Sequence, residues 1–125
     1  MSENNYADLQ IDTLKTEIGV TDERIQEELK AIWANLRDPD NAALREEANR
    51  EGVPATLIDQ CAEPPFSAER PEGQILIAGA VAIVVGKAAL GWTTKKTLDV
   101  AWDRFFWPRL KRHFGADVER REDAG

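Results

Sequence analysis

The stretch QILIAGAVAIVVGKAALGW, residues 74–92, constrains this chain more than any other, because its nineteen residues carry one charge, Lys87. Such a run can cross a membrane, fill a core or cradle a phosphate. The third use fails on spacing. A phosphate-binding loop reads G-x-x-x-x-G-K-[ST]. Counted from Gly86-Lys87, the first glycine position holds Val81 and the hydroxyl position holds Ala88. Ala-Ile-Val-Val is also too bulky for a loop whose backbone N–H groups must face an anion.

The membrane reading has more behind it. As a helix, Ile75–Trp92 extends about 27 Å at about 1.5 Å per residue, against a hydrocarbon core of about 30 Å. Lys87 lies near enough to the end to snorkel, Trp92 sits where an interfacial aromatic belongs, and Lys95 and Lys96 follow as headgroup partners. Beyond them Trp102, Phe105, Phe106 and Trp107 alternate with Arg104, Arg109, Lys111 and Arg112, the composition of a helix lying in an interface. Ala78, Ala82 and Gly86 fall at i, i+4 and i+8, a small-residue stripe for close helix pairing. Against spanning, the basic flank would stay inside and the acidic residues 1–73 would be exported. In a soluble chain the run is a core helix, wrapped by the apolar faces upstream. The clustered Ile and Val at 75–85 also allow a buried strand before Gly86.

Upstream, apolar residues follow a helical period. Ala7, Ile11, Leu14 and Ile18 recur at 4, 3 and 4, and Gly19 stops them. Thr21 then reads as an N-cap with Asp22 and Glu23 in the first turn, and Ile25, Leu29, Ile32 and Leu36 repeat the spacing over a helix near 21–37. Asp38-Pro39 opens a third helix to about 51, ending at Gly52. Pro54 starts a fourth, to about Ala62. EPPFSAERPEG, residues 63–73, holds three prolines and reads as a joint. After the run, Thr93 or Thr94 caps a helix that Pro108 kinks near Arg104–Phe105. Lys111, Arg112 and His113 suit its C-terminus, and Gly115 ends it.

The charge is divided. Residues 1–73 hold 7 Lys/Arg against 17 Asp/Glu, and residues 74–125 hold 9 against 6. Either the basic half meets an anionic partner, or the two halves attract each other. A net charge of −7 disfavours bulk nucleic-acid binding. Ala48, Gly52 and Ile58 have the spacing of a helix-turn-helix DNA-binding protein, and this resembles that family over about twenty residues. The second helix, PATLIDQCA, carries no Lys or Arg, so a packed helical hairpin accounts for the spacing. His113 is the only histidine and Cys61 the only cysteine, which leaves no His–His metal site, no Ser–His–Asp triad and no internal disulfide. Cys61 reads as a small buried residue and His113 as a cation at a helix end. MSENNYADLQ lacks the basic and apolar parts of a cleavable secretory signal.

These readings predict a mainly α protein. It has an acidic helical module (1–63), a Pro-rich joint (64–73), an apolar helix (74–92), a kinked basic-aromatic helix (93–116) and a charged tail (117–125). The preferred function is a non-enzymatic adaptor, cytoplasmic and held at the cytoplasmic membrane. Lys87, Trp92, Lys95, Lys96, Trp102, Arg104, Phe105, Phe106, Trp107, Arg109, Lys111 and Arg112 would meet anionic lipid, and Ala78, Ala82 and Gly86 would pair helices. The rival is a soluble helical adaptor or assembly subunit, monomeric or homo-oligomeric, whose run is core or seam. A DNA-binding regulator is a weaker third. A protein partner is expected, and no cofactor.

Overall fold

The structure, a computed structural model, describes residues 10–70, 79–86 and 89–120. It is an α/β fold, which corrects the mainly helical expectation. A four-stranded antiparallel sheet has the order β2-β3-β1-β4. Its strands are β1 (Gln10–Thr16), β2 (Phe66–Glu69), β3 (Ala80–Val85) and β4 (Val118–Arg120). The helices are α1 (Asp22–Arg37), α2 (Ala42–Arg50), α3 (Ala55–Gln60), α4 (Lys95–Ala101) and α5 (Trp107–Phe114), with a π-helical segment, Trp102–Phe106, joining the last two.

The apolar run supplies β3, where a long helix was expected. From Val81 to Val85 every residue is at most 7% exposed. Side chains alternate across a strand, so Val81, Ile83 and Val85 enter the core with Phe66, Ala68 and Leu14. Ala82 and Val84 take the other face, beside Thr13 and Gln10. β-branched residues suit such a buried pleat, and β1 and β2 pair with it on either side. Gly79, at φ 88°, places its α-carbon against the Thr16 carbonyl, and a β-carbon there would lie 2.8 Å from that oxygen. The small-residue stripe dissolves with the helix. Ala82 is a strand residue, Gly86 donates to the Pro65 carbonyl at 2.8 Å, and Ala78 lies outside the described residues. Among the described residues no helix is long and apolar enough to cross a membrane. That finding, with the burial of β3, overturns the membrane-associated adaptor.

Three further expectations change. The first predicted helix is β1, in which Leu14 is fully buried while Ile18, beyond the strand, is 96% exposed. Glu17–Val20 forms a turn (Val20 N–H to Glu17 C=O, 3.0 Å) with Gly19 at φ 99°, the positive φ that glycine tolerates. The Pro-rich joint contains β2, because Pro64 and Pro65 stand just before the strand rather than inside it. The charged tail contains β4, anchored by the fully buried Val118. The sheet therefore joins residues on both sides of the expected joint.

The helices follow their local signals more closely. Thr21 caps α1 by accepting from Arg24 N–H at 3.2 Å, and Ile25, Leu29, Ile32, Trp33 and Leu36 are buried. The next helix starts at Ala42, because Asp38 Oδ1 accepts from Asp40 N–H at 2.9 Å and holds a turn first. Gly52, at φ 105°, ends α2 with two backbone bonds, Val53 N–H to Ala48 C=O (2.9 Å) and Gly52 N–H to Asn49 C=O (3.2 Å). That is a Schellman stop. A β-carbon at Gly52 would lie 2.9 Å from a Val100 methyl, so the turn also seats α4. The Ala48–Ile58 spacing thus serves packing: Ala48, Leu57 and Ile58 are fully buried.

Both sheet edges are occupied by side chains from the helices. Gln26 of α1 accepts from Ala68 N–H of β2 at 2.7 Å, and Lys111 of α5 donates to the Val118 carbonyl of β4 at 3.0 Å. Edge groups satisfied in this way are poor templates for another strand.

Candidate functional site

Pro108 shapes the C-terminal region. It has no N–H for the Arg104 carbonyl, and its ring would press on that carbonyl in a regular helix. The chain widens instead, and Trp107 N–H bonds the Trp102 carbonyl across a π turn. The added residue turns Trp102, Phe105 and Phe106 inward, each no more than 1% exposed. Phe106 packs on Trp33 and Phe66, with ring centroids 6.2 and 5.0 Å away. These three aromatics therefore form core, which removes them from any membrane or partner surface.

The polar atom of Trp102 is satisfied inside. Its Nε1 donates to Asp12 Oδ2 at 2.6 Å, and Arg120 Nε donates to the same oxygen at 2.8 Å. Thr13 N–H occupies Asp12 Oδ1 at 2.8 Å. A register shift between Gln10 and Asp12 in β1 accompanies this placement, as a bulge commonly re-aims a side chain. Burial alone would lower the Arg120 guanidinium's pKa; the carboxylates of Asp12 and Asp103 outweigh it and hold the group above its ordinary value. The sequence reading missed Asp12 altogether, since no local pattern marks a carboxylate whose partners lie 90 and 108 residues away.

The predicted bases divide. Arg109 pairs with Glu47 at 2.9 Å, Arg104 approaches Glu51 at 4.0 Å, and His113 Nε2 lies 3.5 Å from Glu28. With Arg120–Asp12, these contacts join the basic half of the chain to the acidic half. Lys111 pairs with Glu119 at 2.8 Å and Lys95 with Asp99 at 2.7 Å. Trp107 is half-buried beside Arg120. Trp92 is 49% exposed, and Lys96 and Arg112 are exposed with no ion pair among the described residues. Lys87 lies outside the described residues.

Cys61 is buried at the C-terminal end of α3, and its carbonyl accepts from Trp33 Nε1 at 2.9 Å and from Arg37. Burial pushes its thiol up, against the smaller opposing pull of Arg37. A thiol kept protonated is a weak nucleophile.

Where α5 crosses α1, the surface opens into a cleft of about 250 Å³ lined by Glu28, Ile32, Asn35, Arg109, Arg112 and His113. Arg109, Arg112 and His113 share one face of α5 at i, i+3 and i+4. Arg109 is oriented twice, by Glu47 and by the Phe105 ring 4.5 Å beneath its guanidinium. Glu28, Ile32 and Asn35 come from α1, and Ile32, 6% exposed, is the apolar member of the lining. The sequence places Ile32 on the apolar face of α1 and marks neither Glu28 nor Asn35 as a site residue, because their role depends on where α5 docks. Among the described residues no group of three or more His, Cys, Asp or Glu gathers into a metal-ligand set. Comparison with protein-family models, with curated proteins and with solved structures finds no match to this chain.

Proposed function

We propose that this chain is a small, non-enzymatic adaptor or assembly subunit whose apolar run contributes, through β3, to its own core. The observation that carries this is the fate of β3: Ile83 and Val85 are fully buried within the fold, so they are unavailable to lipid or to a second copy. The α1–α5 cleft is a concave, polar surface among the described residues that a protein partner can meet. The lone histidine stands beside Glu28 and the lone thiol is buried, which also supports binding over chemistry.

Light scattering of the detergent-free protein tests this. The expected result is a 14.0 kDa monomer, and Ile83→Asp abolishes folding. A stable oligomer that Ile83→Asp splits into folded monomers would make the run a seam and overturn the reading.

A further inference from the structure

We propose that the α1–α5 cleft is a carboxylate-binding site that takes an acidic side chain of a partner protein. The inference rests on the reading of the chain as an interaction module and names what the module holds.

Two guanidiniums, Arg109 and Arg112, line the cleft against one carboxylate, Glu28, and Glu47 engages Arg109 from outside the lining. Arg112 is left with no carboxylate among the described residues, although it lines the same cleft. A guanidinium offers a planar fork of donors that matches a carboxylate in bidentate geometry. Arg109 adds N–H groups that lose little freedom on binding, because Glu47 and Phe105 already fix its orientation. Asn35 brings an amide from the opposite wall. The buried Ile32 lowers the local dielectric, which strengthens an ion pair formed above it.

Size narrows the class. Sites for drug-sized molecules occupy about 300–1,000 Å³, and this cleft is smaller and open. It suits one side chain. The protein as a whole carries a net charge of −7, so a carboxylate needs a local pair of guanidiniums such as this one to offset the repulsion.

The test is an NMR titration of the ¹⁵N-labelled full chain with a short, capped peptide carrying one glutamate, and with its glutamine twin. The glutamate peptide should shift Asn35, Arg109, Arg112 and His113, and the glutamine twin should not. Arg112→Ala should weaken binding by about tenfold. Arg112→Glu should abolish it, and Lys96→Glu should leave it unchanged. Arg112 is exposed and unpaired among the described residues, so both variants should melt with the parent. Free glutarate is the second arm; saturation by glutarate at the peptide's own affinity would replace the side chain with a small acid and overturn the assigned source. Equal binding by Arg112→Glu, or shifts centred on Lys95 and Lys96, would overturn the site. Glutamate-dependent shifts on another face would overturn the site while leaving the interaction module intact.

Discussion

Two neighbouring segments carry the same apolar spacing and fold differently. Ile11, Leu14 and Ile18 continue from Ala7 at 4, 3 and 4, and so do Ile25, Leu29, Ile32 and Leu36. The second segment is α1, with all four positions buried. The first is a seven-residue strand followed by a turn, with Leu14 inside and Ile18 facing water. The difference lies between the apolar positions. In α1 they are separated by Glu, Gln, Lys and Ala, strong helix formers behind a Thr cap. In the first segment they are separated by Asp12, Thr13, Lys15, Thr16 and Glu17, of which Asp and the two threonines are weak helix formers. Thr13 and Ile11 prefer a pleat, and β3 and β4 stand on either side to pair with it. A helical period over four positions is thus a weak signal unless caps and propensity agree with it.

The comparison can be broken where it is strongest. Leu14 and Leu29 are both fully buried, so Leu14→Ala and Leu29→Ala should each cost about 2–5 kcal/mol by chemical denaturation. A loss under about 1 kcal/mol for Leu14→Ala, against the full core cost for Leu29→Ala, would mean that β1 is not seated in the core. The polar fixings come next. Asp12→Ala strands Trp102 Nε1 and removes one of the two carboxylates on Arg120, and should cost about 1–3 kcal/mol; Thr21→Ala removes one cap and should cost about 1 kcal/mol. Reversal of that order would make the cap, not the cross-sheet carboxylate, the main polar fixing. Smallest is Ile18→Ser, expected within about 0.5 kcal/mol of the parent. A large loss there would place Ile18 under cover and revive the helical face.

What was legible follows from range. Thr21, Gly52, Thr94 and Gly115 mark element ends through bonds within a few residues, and each acts as its local pattern indicates. Pro108 predicts an irregularity near Arg104–Phe105, and the π segment Trp102–Phe106 falls across those residues. Cys61 was read as buried because its neighbours Leu57 and Ile58 are apolar. The strands were misread because pairing partners are distant: Leu14 meets Val81, and Thr16 meets Val118. Inside the run, length and hydropathy fit a helix as well as a strand, and only a neighbouring strand decides between them. The aromatic-basic alternation misled for a related reason. Aromatics beside bases describe an interfacial helix, but they also describe a core helix whose bases reach carboxylates on another element. Arg109–Glu47 and His113–Glu28 are such contacts. The division of charge between the halves had already allowed for them, and the cleft could not be foreseen without the docking of α5.

The measurement that tests this account most directly is the backbone NMR of residues 80–85 in the full chain, without detergent. The account predicts β-type secondary shifts through Ala80–Val85 and cross-strand contacts from Val81 to Leu14 and from Ile83 to Ala68. Helical shifts across those residues, with no contact to β1 or β2, would contradict it and restore a helix to the apolar run.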